Sequence, residues 1–314
     1  MSTTGVPAFA PEWLALREGA DARARAARPP ALLYGHGRVV ADLGCGTGSL
    51  GRWLAPRLPR PQRWVLLDRD PALLALAREG VPAAEVVTRR VDLGALRAAD
   101  LDGATLVAAS ALLDLCTRAE VETLAGAVVA RGCPALLTLS VAGRVEFLPA
   151  DPLDAAFTLA FNAHQRREGR LGPDAAGAAA AAFADLGYEV RTYPSPWLLG
   201  PEDAELARTW LRGWVGAAVE QEPSLPGADY LERRLRACAR EGARITVHHT
   251  DLLALPRTVP DHAHGRPAEE GTGPPPPERT GTRGPAGTAA AGARPRAASR
   301  PGTEHDPRDG GSRR

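Results

Sequence analysis

Apolar and polar positions along the chain follow two periods, and the period switches from segment to segment. Short apolar runs bounded by glycine or charge predict strands: GRVVADLG at 37–44, RWVLLDRD at 63–70, AEVVTRRVDL at 84–93 and ATLVAASALL at 104–113. Between them the spacing turns helical. SLGRWLAPRL at 49–58 sets Leu50, Trp53, Leu54 and Leu58 on one side, and PALLALARE at 71–79 opens with a proline in its first turn. AEVETLAGAVVARG is a further helix, and CPALLTLSVAGRVEFLPA at 133–150 predicts a fifth strand, a turn at Ala142-Gly143 and a short extended piece. DPLDAAFTLAFNAHQRREGRLG reads as helix then loop. Residues 173–197 read as a helix closed by Gly187 and then a strand. Two helices follow at 201–220 and 227–241, and RITVHHTDLLAL at 244–255 is the last strand. PEWLALREGADARARAA, which Pro11 can open, is a helical prelude within residues 1–34. Seven strands separated by helices imply an α/β domain over 35–256, with a mostly parallel sheet covered on both faces.

The pattern stops near residue 257. From there to Arg314 the chain has no Phe, Trp, Tyr, Ile or Leu, and ten Arg stand against seven Asp/Glu. Such a segment cannot bury enough apolar surface to offset ordering its backbone, so 257–314 is expected to be a disordered Pro/Gly/Ala/Arg-rich tail. The whole chain of 314 residues has a formal net charge of +1 and no Arg stripe interleaved with aromatics, which disfavours a nucleic-acid partner. Its apolar stretches are strand-sized, so no membrane span is expected. The start, MSTTGVPAFAPEW, lacks a basic end followed by an apolar run, so no signal peptide is expected. Cys45, Cys116, Cys133 and Cys238 form no CxxC pair and read as reduced thiols of a cytoplasmic protein. His248 and His249 alternate faces on the last strand without a visible third ligand, so no metal is expected and at most one of them faces a pocket.

The candidate chemistry concentrates in VVADLGCGTGSLGRWLAPRL, 39–58. A strand runs through alternating glycines into a helix, whose first N–H groups are free to meet a ligand. Three ligand types use that geometry. A phosphate loop needs Lys and then Ser/Thr after its last glycine, but Gly48 is followed by Ser49-Leu50. The dinucleotide fingerprint GxGxxG fails from Gly44, because Ser49 stands at the third glycine, and fits only from Gly46 through Gly48 to Gly51. A ligand with an ammonium and a carboxylate explains Asp42 as well: the loop amides receive the carboxylate and Asp42 faces the ammonium. The amino-acid end of S-adenosylmethionine has both groups. Asp68, at the end of the second strand, is placed to accept from ribose hydroxyls, as it would also be for NAD. Asp92, after the third strand, is placed to accept from the adenine amino group, with Arg69, Val91 and Leu93 beside the ring.

On these residues the sequence resembles the class I S-adenosylmethionine-dependent methyltransferases. DLGCGTG at 42–48 resembles their first motif, LLDRD at 66–70 the second, VDL at 91–93 the adenine-binding segment, and LVAASALLDL at 106–115 the motif after the fourth strand. The likeness spans about residues 35 to 195 and reaches 256 if TYPSPW and RITVHHTDLL are the last two strands. It implies a Rossmann-like seven-stranded sheet in the order 3-2-1-4-5-7-6, strand 7 antiparallel, with helices on both faces. The SALLDL and FNAHQR segments are similar to those of small actinobacterial members of unassigned substrate. In that comparison Asp42, Gly44, Gly46 and Gly48 take the methionine end, Asp68 the ribose and Asp92 the adenine. Cys45 in the same loop and Ser110 beyond the fourth strand complete the candidate cofactor set.

Methyl transfer asks the protein to align a nucleophile with the methyl group and to exclude water. Asp114, in the apolar ALLDLC setting, and His164 are the candidate catalytic groups, able to orient an acceptor or take a proton. Asn162 and Gln165, within FNAHQRREG, and Trp197 are candidate acceptor contacts. No Asn-Pro-Pro-Tyr or Asp-Pro-Pro-Tyr segment follows the fourth strand, which argues against acceptors that are exocyclic amines of bases or glutamine amides. The expected activity is methyl transfer to a small molecule. An NAD-dependent oxidoreductase and a non-catalytic S-adenosylmethionine-binding protein are the alternatives.

Overall fold

The computed structural model describes residues 10–257, apart from 27, 34 and 241. The expected tail therefore lies outside the described residues. In chain order the elements are α1 (Pro11–Ala24), α2 (Arg28–Leu32), β1 (Val39–Leu43), α3 (Ser49–Leu54), β2 (Arg63–Asp68), α4 (Pro71–Gly80), β3 (Glu85–Arg90), β4 (Leu106–Ser110) and α5 (Arg118–Arg131). Then come β5 (Ala135–Leu148), α6 (Asp154–Gln165), α7 (Ala175–Asp185), β6 (Glu189–Pro194), β7 (Trp197–Leu199), α8 (Ala204–Gln221), α9 (Gly227–Cys238) and β8 (Arg244–Leu255).

The fold is a Rossmann-like α/β sheet in the order β3-β2-β1-β4-β5-β8-β6, with β7 also pairing with β8. β1 to β5 are parallel, and β8 runs antiparallel to β5, β6 and β7. The expected order holds, but the sheet has eight strands rather than seven. β8 is twelve residues long and outruns β6, so the far half of its edge is free for β7. Pro194 and Pro196 interrupt the ladder between β6 and β7, because proline brings no N–H to it. Ser195 N–H keeps contact by donating to the His249 carbonyl at 2.9 Å. The turn expected at Ala142-Gly143 is a second correction: β5 runs on as one strand, and the glycine sits where the register with β8 shifts between Val141 and Val145.

Period-two alternation sorts the central strands onto two faces. Ala41, Leu43, Val65, Leu67, Val107 and Ala109 pack in one core with α5 and α7, and Val40, Trp64, Leu66, Leu106 and Ala108 pack in another with α3 and α4. Asp42 has the parity of the second core. In register it stands between Leu66 on β2 and Ala108 on β4, so a carboxylate is set among apolar side chains at the carboxyl end of the sheet.

The prelude is not a separate piece. α1 contributes Ala20 to a core with Trp197, Leu206, Leu211, Ile245 and Val247, and Trp13 and Leu16 pack against the same cluster. Glu18 receives Arg52 of α3 at 2.5 and 2.6 Å, and Arg23 reaches Asp203 at 2.5 Å.

Candidate functional site

A cavity of about 190 Å³ opens where β1, β2 and β4 end, with α1 as one wall. Asp42, Gly44, Cys45, Gly46, Asp68, Arg69, Asp92, Leu93 and Ser110 all line it. Gly48, expected with them, does not. Its φ of +85° starts α3, and a Cβ there would lie 3.1 Å from the Ala77 backbone, so glycine serves the packing of α3 on α4. Gly46, at φ +54°, faces the cavity, and a Cβ there would lie 3.3 Å from Leu14 of α1.

Asp42 is 1% exposed, and neither carboxylate oxygen has a hydrogen-bond partner among the described residues. Burial pushes its carboxyl up to about 8; Arg25 pulls the other way and Asp68 adds to the rise. Asp68 secures the loop by accepting from Gly46 N–H at 2.9 Å and from Asp70 N–H at 3.0 Å. Asp92 accepts from Gly94 N–H at 3.1 Å. Beside it lies Glu120, which the sequence reading missed. Glu120 also lines the cavity while its Oε2 accepts from Thr117 N–H at 2.7 Å and Thr117 Oγ1–H at 2.9 Å. The only sequence signal there is a helix-start pattern, Thr117-x-x-Glu120, which says nothing of a pocket.

The α1 wall supplies three more lining residues absent from the expected set: Leu14, Arg17 and Asp21. Arg17 donates through Nε (3.0 Å) and Nη2 (3.2 Å) to the Asp21 carboxylate, which also accepts from Trp197 Nε1–H at 2.9 Å. The Arg17 guanidinium lies 5.1 Å from the centre of the Trp197 ring. Trp197 is thus fully engaged behind the wall, buried and tied to α1.

The other expected acceptor and catalytic residues are not on the wall. Asp114 is buried in a 3-10 turn, Leu113–Leu115, with Oδ1 unpartnered among the described residues; burial pushes its carboxyl up, and the Arg17 charge opposes the rise. His164 lies on α6 with Nε2 at 3.4 Å from Glu220. Asn162 Nδ2–H donates to the Gly143 carbonyl at 2.7 Å, and Gln165 packs on Gly172. His249 is buried 5.3 Å from the Trp197 ring, and desolvation with the nearby Arg17 charge pushes its pKa down to about 4. His248 is half-exposed beside Glu146, and neither histidine lines the cavity. Among the described residues there is no group of three or more His, Cys, Asp or Glu able to hold a metal ion, and no helix is long and apolar enough to cross a membrane.

The cavity thus joins a glycine loop and an orphaned carboxylate at the carboxyl edge of a Rossmann-like sheet, the position at which open α/β sheets bind ligands. Residues 40–130 match the family model described as a methyltransferase domain. No curated protein matches the chain. Solved structures similar to it include an S-adenosylmethionine-dependent methyltransferase from Geobacter sulfurreducens in complex with S-adenosyl-L-homocysteine, at 16% identity over 80% of this chain and 100% of that one, TM-score 0.39. The cyclopropane synthase MmaA2 from Mycobacterium tuberculosis is similar at 13% identity over 72% and 82%, TM-score 0.41. The YcgJ protein from Bacillus subtilis is similar at 12% identity over 72% and 96%, TM-score 0.42. At these scores the likenesses carry no functional weight, which rests on the 40–130 match and on the cavity.

Proposed function

We propose that the protein transfers a methyl group from S-adenosylmethionine to a small-molecule acceptor. The observation that carries the reading is Asp42: a fully buried carboxylate, both oxygens unpartnered among the described residues, beside a glycine loop in the matched methyltransferase segment. A ligand ammonium gives it a charged partner, and NAD carries no ammonium. When bound, the cofactor supplies an electrophilic methyl group on a sulfonium, ready for in-line displacement.

The chain's own residues divide the remaining work. Asp42 holds the ammonium. Asp68 keeps the loop folded through two backbone N–H groups and presents its carboxylate to the ribose hydroxyls. Asp92 and Glu120 face the adenine amino group, with Arg69 and Leu93 beside the ring. Leu14 closes over Gly46 and excludes water. Arg17 and Asp21 are the polar groups of the α1 wall, and they meet the acceptor together with Ala111 after β4. Asp114 lies behind Arg17, where its charge acts on that guanidinium, so it positions rather than touches. His164 has no part in this scheme, because Glu220 holds it on α6 away from the cavity. A cavity walled by α1 suits a small acceptor better than a polymer.

Titration calorimetry with S-adenosylmethionine, S-adenosylhomocysteine and NAD tests the cofactor. Binding of the first two without NAD is expected, and NAD binding alone would refute it. Methyl release across a fractionated metabolite extract tests the transfer: turnover in a small-molecule fraction is expected, and tight cofactor binding without turnover in any fraction would favour a non-catalytic binding protein.

A further inference from the structure

Arg25 directly follows α1, and its side chain is wholly buried. Nη2 donates to the hydroxyls of Ser49 at 3.2 Å and Ser110 at 3.0 Å; both serines line the cavity, and Arg25, itself off the wall, reaches it through them. Nε and Nη1 have no hydrogen-bond partner among the described residues. Asp21 does not fill them. It lies 3.9 Å away and is taken up by Arg17 and Trp197. A buried guanidinium ordinarily satisfies its donors, since each unmet one forfeits its hydration. Asp42 is in the same state with the opposite sign, and Arg25 is one of the charges that act on it. The two are near enough to feel each other, yet they share no hydrogen bond. An acid and a base that act on each other through space, each with unused polar atoms, form a complement to a zwitterion: ammonium against the one, carboxylate against the other.

We propose that Arg25 receives the carboxylate of the cofactor's amino-acid end, with Ser49 and Ser110 as its positioning partners. This rests on the S-adenosylmethionine reading of the cavity and extends it, because carboxylate recognition passes from the loop amides alone to a side chain brought in by α1. The backbone that aims Arg25 is clamped next door. Ala26 N–H donates to Asp251 Oδ2 at 2.8 Å, and Asp251 Oδ1 accepts from Leu139 N–H at 2.8 Å, which fixes the end of α1 to the β5–β8 edge of the site. Trp53 lies under the guanidinium at 5.6 Å and limits its swing.

The test compares two ligands that differ only in the carboxylate, S-adenosylmethionine and its decarboxylated form, by calorimetry on the full chain. Arg25→Gln is expected to weaken S-adenosylmethionine by roughly 30- to 100-fold, the loss of charge-assisted hydrogen bonds, while decarboxylated ligand changes by no more than about twofold. Arg25→Lys should restore part of the difference. Equal losses for both ligands in a variant with native circular dichroism, or no loss for either, would overturn the proposal. If Arg25→Gln does not fold, the Arg25→Lys variant decides: a fall in the preference for the carboxylated ligand supports the assignment, and an unchanged ratio refutes it. Failure of the cofactor reading itself looks different, since the wild-type chain would then bind neither ligand.

Discussion

Asp42→Asn keeps the shape of the side chain and removes the charge that burial opposes. In the ligand-free fold the carboxyl is pushed from 3.8 to about 8. Each pKa unit corresponds to about 1.36 kcal/mol, so at pH 7 the buried acid destabilises the fold by up to about 4 kcal/mol relative to a neutral isostere. The sign follows from the raised pKa. Below 3.8 both folded and unfolded chains carry the proton and there is no penalty; the penalty grows as pH rises from about 4 to 8 and is constant above that. The D42N variant is therefore expected to be more stable than wild type in urea unfolding without ligand, by a margin that widens across this window. Binding should move the other way. Losing one charge-assisted contact to the ammonium is expected to weaken S-adenosylmethionine by roughly 10- to 100-fold. At pH 7 the wild-type carboxyl is mostly protonated, so pairing with the ammonium should release about one proton, visible as a dependence of binding heat on the buffer's ionisation heat, and D42N should lose that proton. A stability difference that stays flat from pH 4 to 8, or equal proton release from both proteins, would refute the reasoning.

Asp68→Ala is expected to weaken cofactor binding by about tenfold and to cost about 1–2 kcal/mol, because Gly46 and Asp70 N–H groups lose their acceptor; unchanged affinity in calorimetry would remove the ribose assignment. Asp251→Ala leaves Leu139 and Ala26 N–H groups unmet at a buried site, for a loss of about 3 kcal/mol or more and faster tryptic cleavage at the end of α1. His249, pushed down to about 4, stays neutral in the fold while the unfolded chain takes up a proton, so stability should fall as pH drops from 6.5 to 4, by up to about 3 kcal/mol. His249→Phe should flatten that part of a urea-unfolding pH series, and an unchanged slope would show that another group sets it.

The central strands were legible because parallel strands buried on both faces read as apolar runs; β1 and β2 end where glycine or charge interrupts the run, whereas β4 stops at Ser110 inside it. Asp42, Asp68 and Asp92 were legible for a related reason: each ends or follows such a strand, so a local pattern places them together. β7 was not legible, since three residues behind Pro194-Ser195-Pro196 carry no period, and only the length of β8 creates their partner edge. The cluster Asn162, His164 and Gln165 does not line the cavity. Three hydrogen-bonding side chains close together look like a site, but Asn162 donates to the Gly143 carbonyl, His164 meets Glu220, and Gln165 packs its Cβ and backbone on Gly172. Buried polar residues and ligand-binding ones have the same composition, and only their partners tell them apart.

α1 shows why the rest of the site escaped a local reading. Its inner side carries Leu14, Arg17 and Asp21 to the cavity, with Arg25 just past its end, so a charged stretch that looks solvated is the buried side. Buried charges on a helix add little stability compared with apolar packing of the same volume, which makes a purely structural origin for this face weak. Its charges are matched instead to one another and to neighbouring elements: Arg17 to Asp21 within α1, Asp21 to Trp197 of β7, and Arg25 to Ser49, Ser110 and the field of Asp42. In the proposed scheme the glycine loop and its acids hold the cofactor, and they come from the ends of the sheet strands. The other wall is α1, where the proposed scheme places the acceptor. Acceptor choice should therefore follow substitutions at Arg17 and Asp21 rather than at the glycine loop.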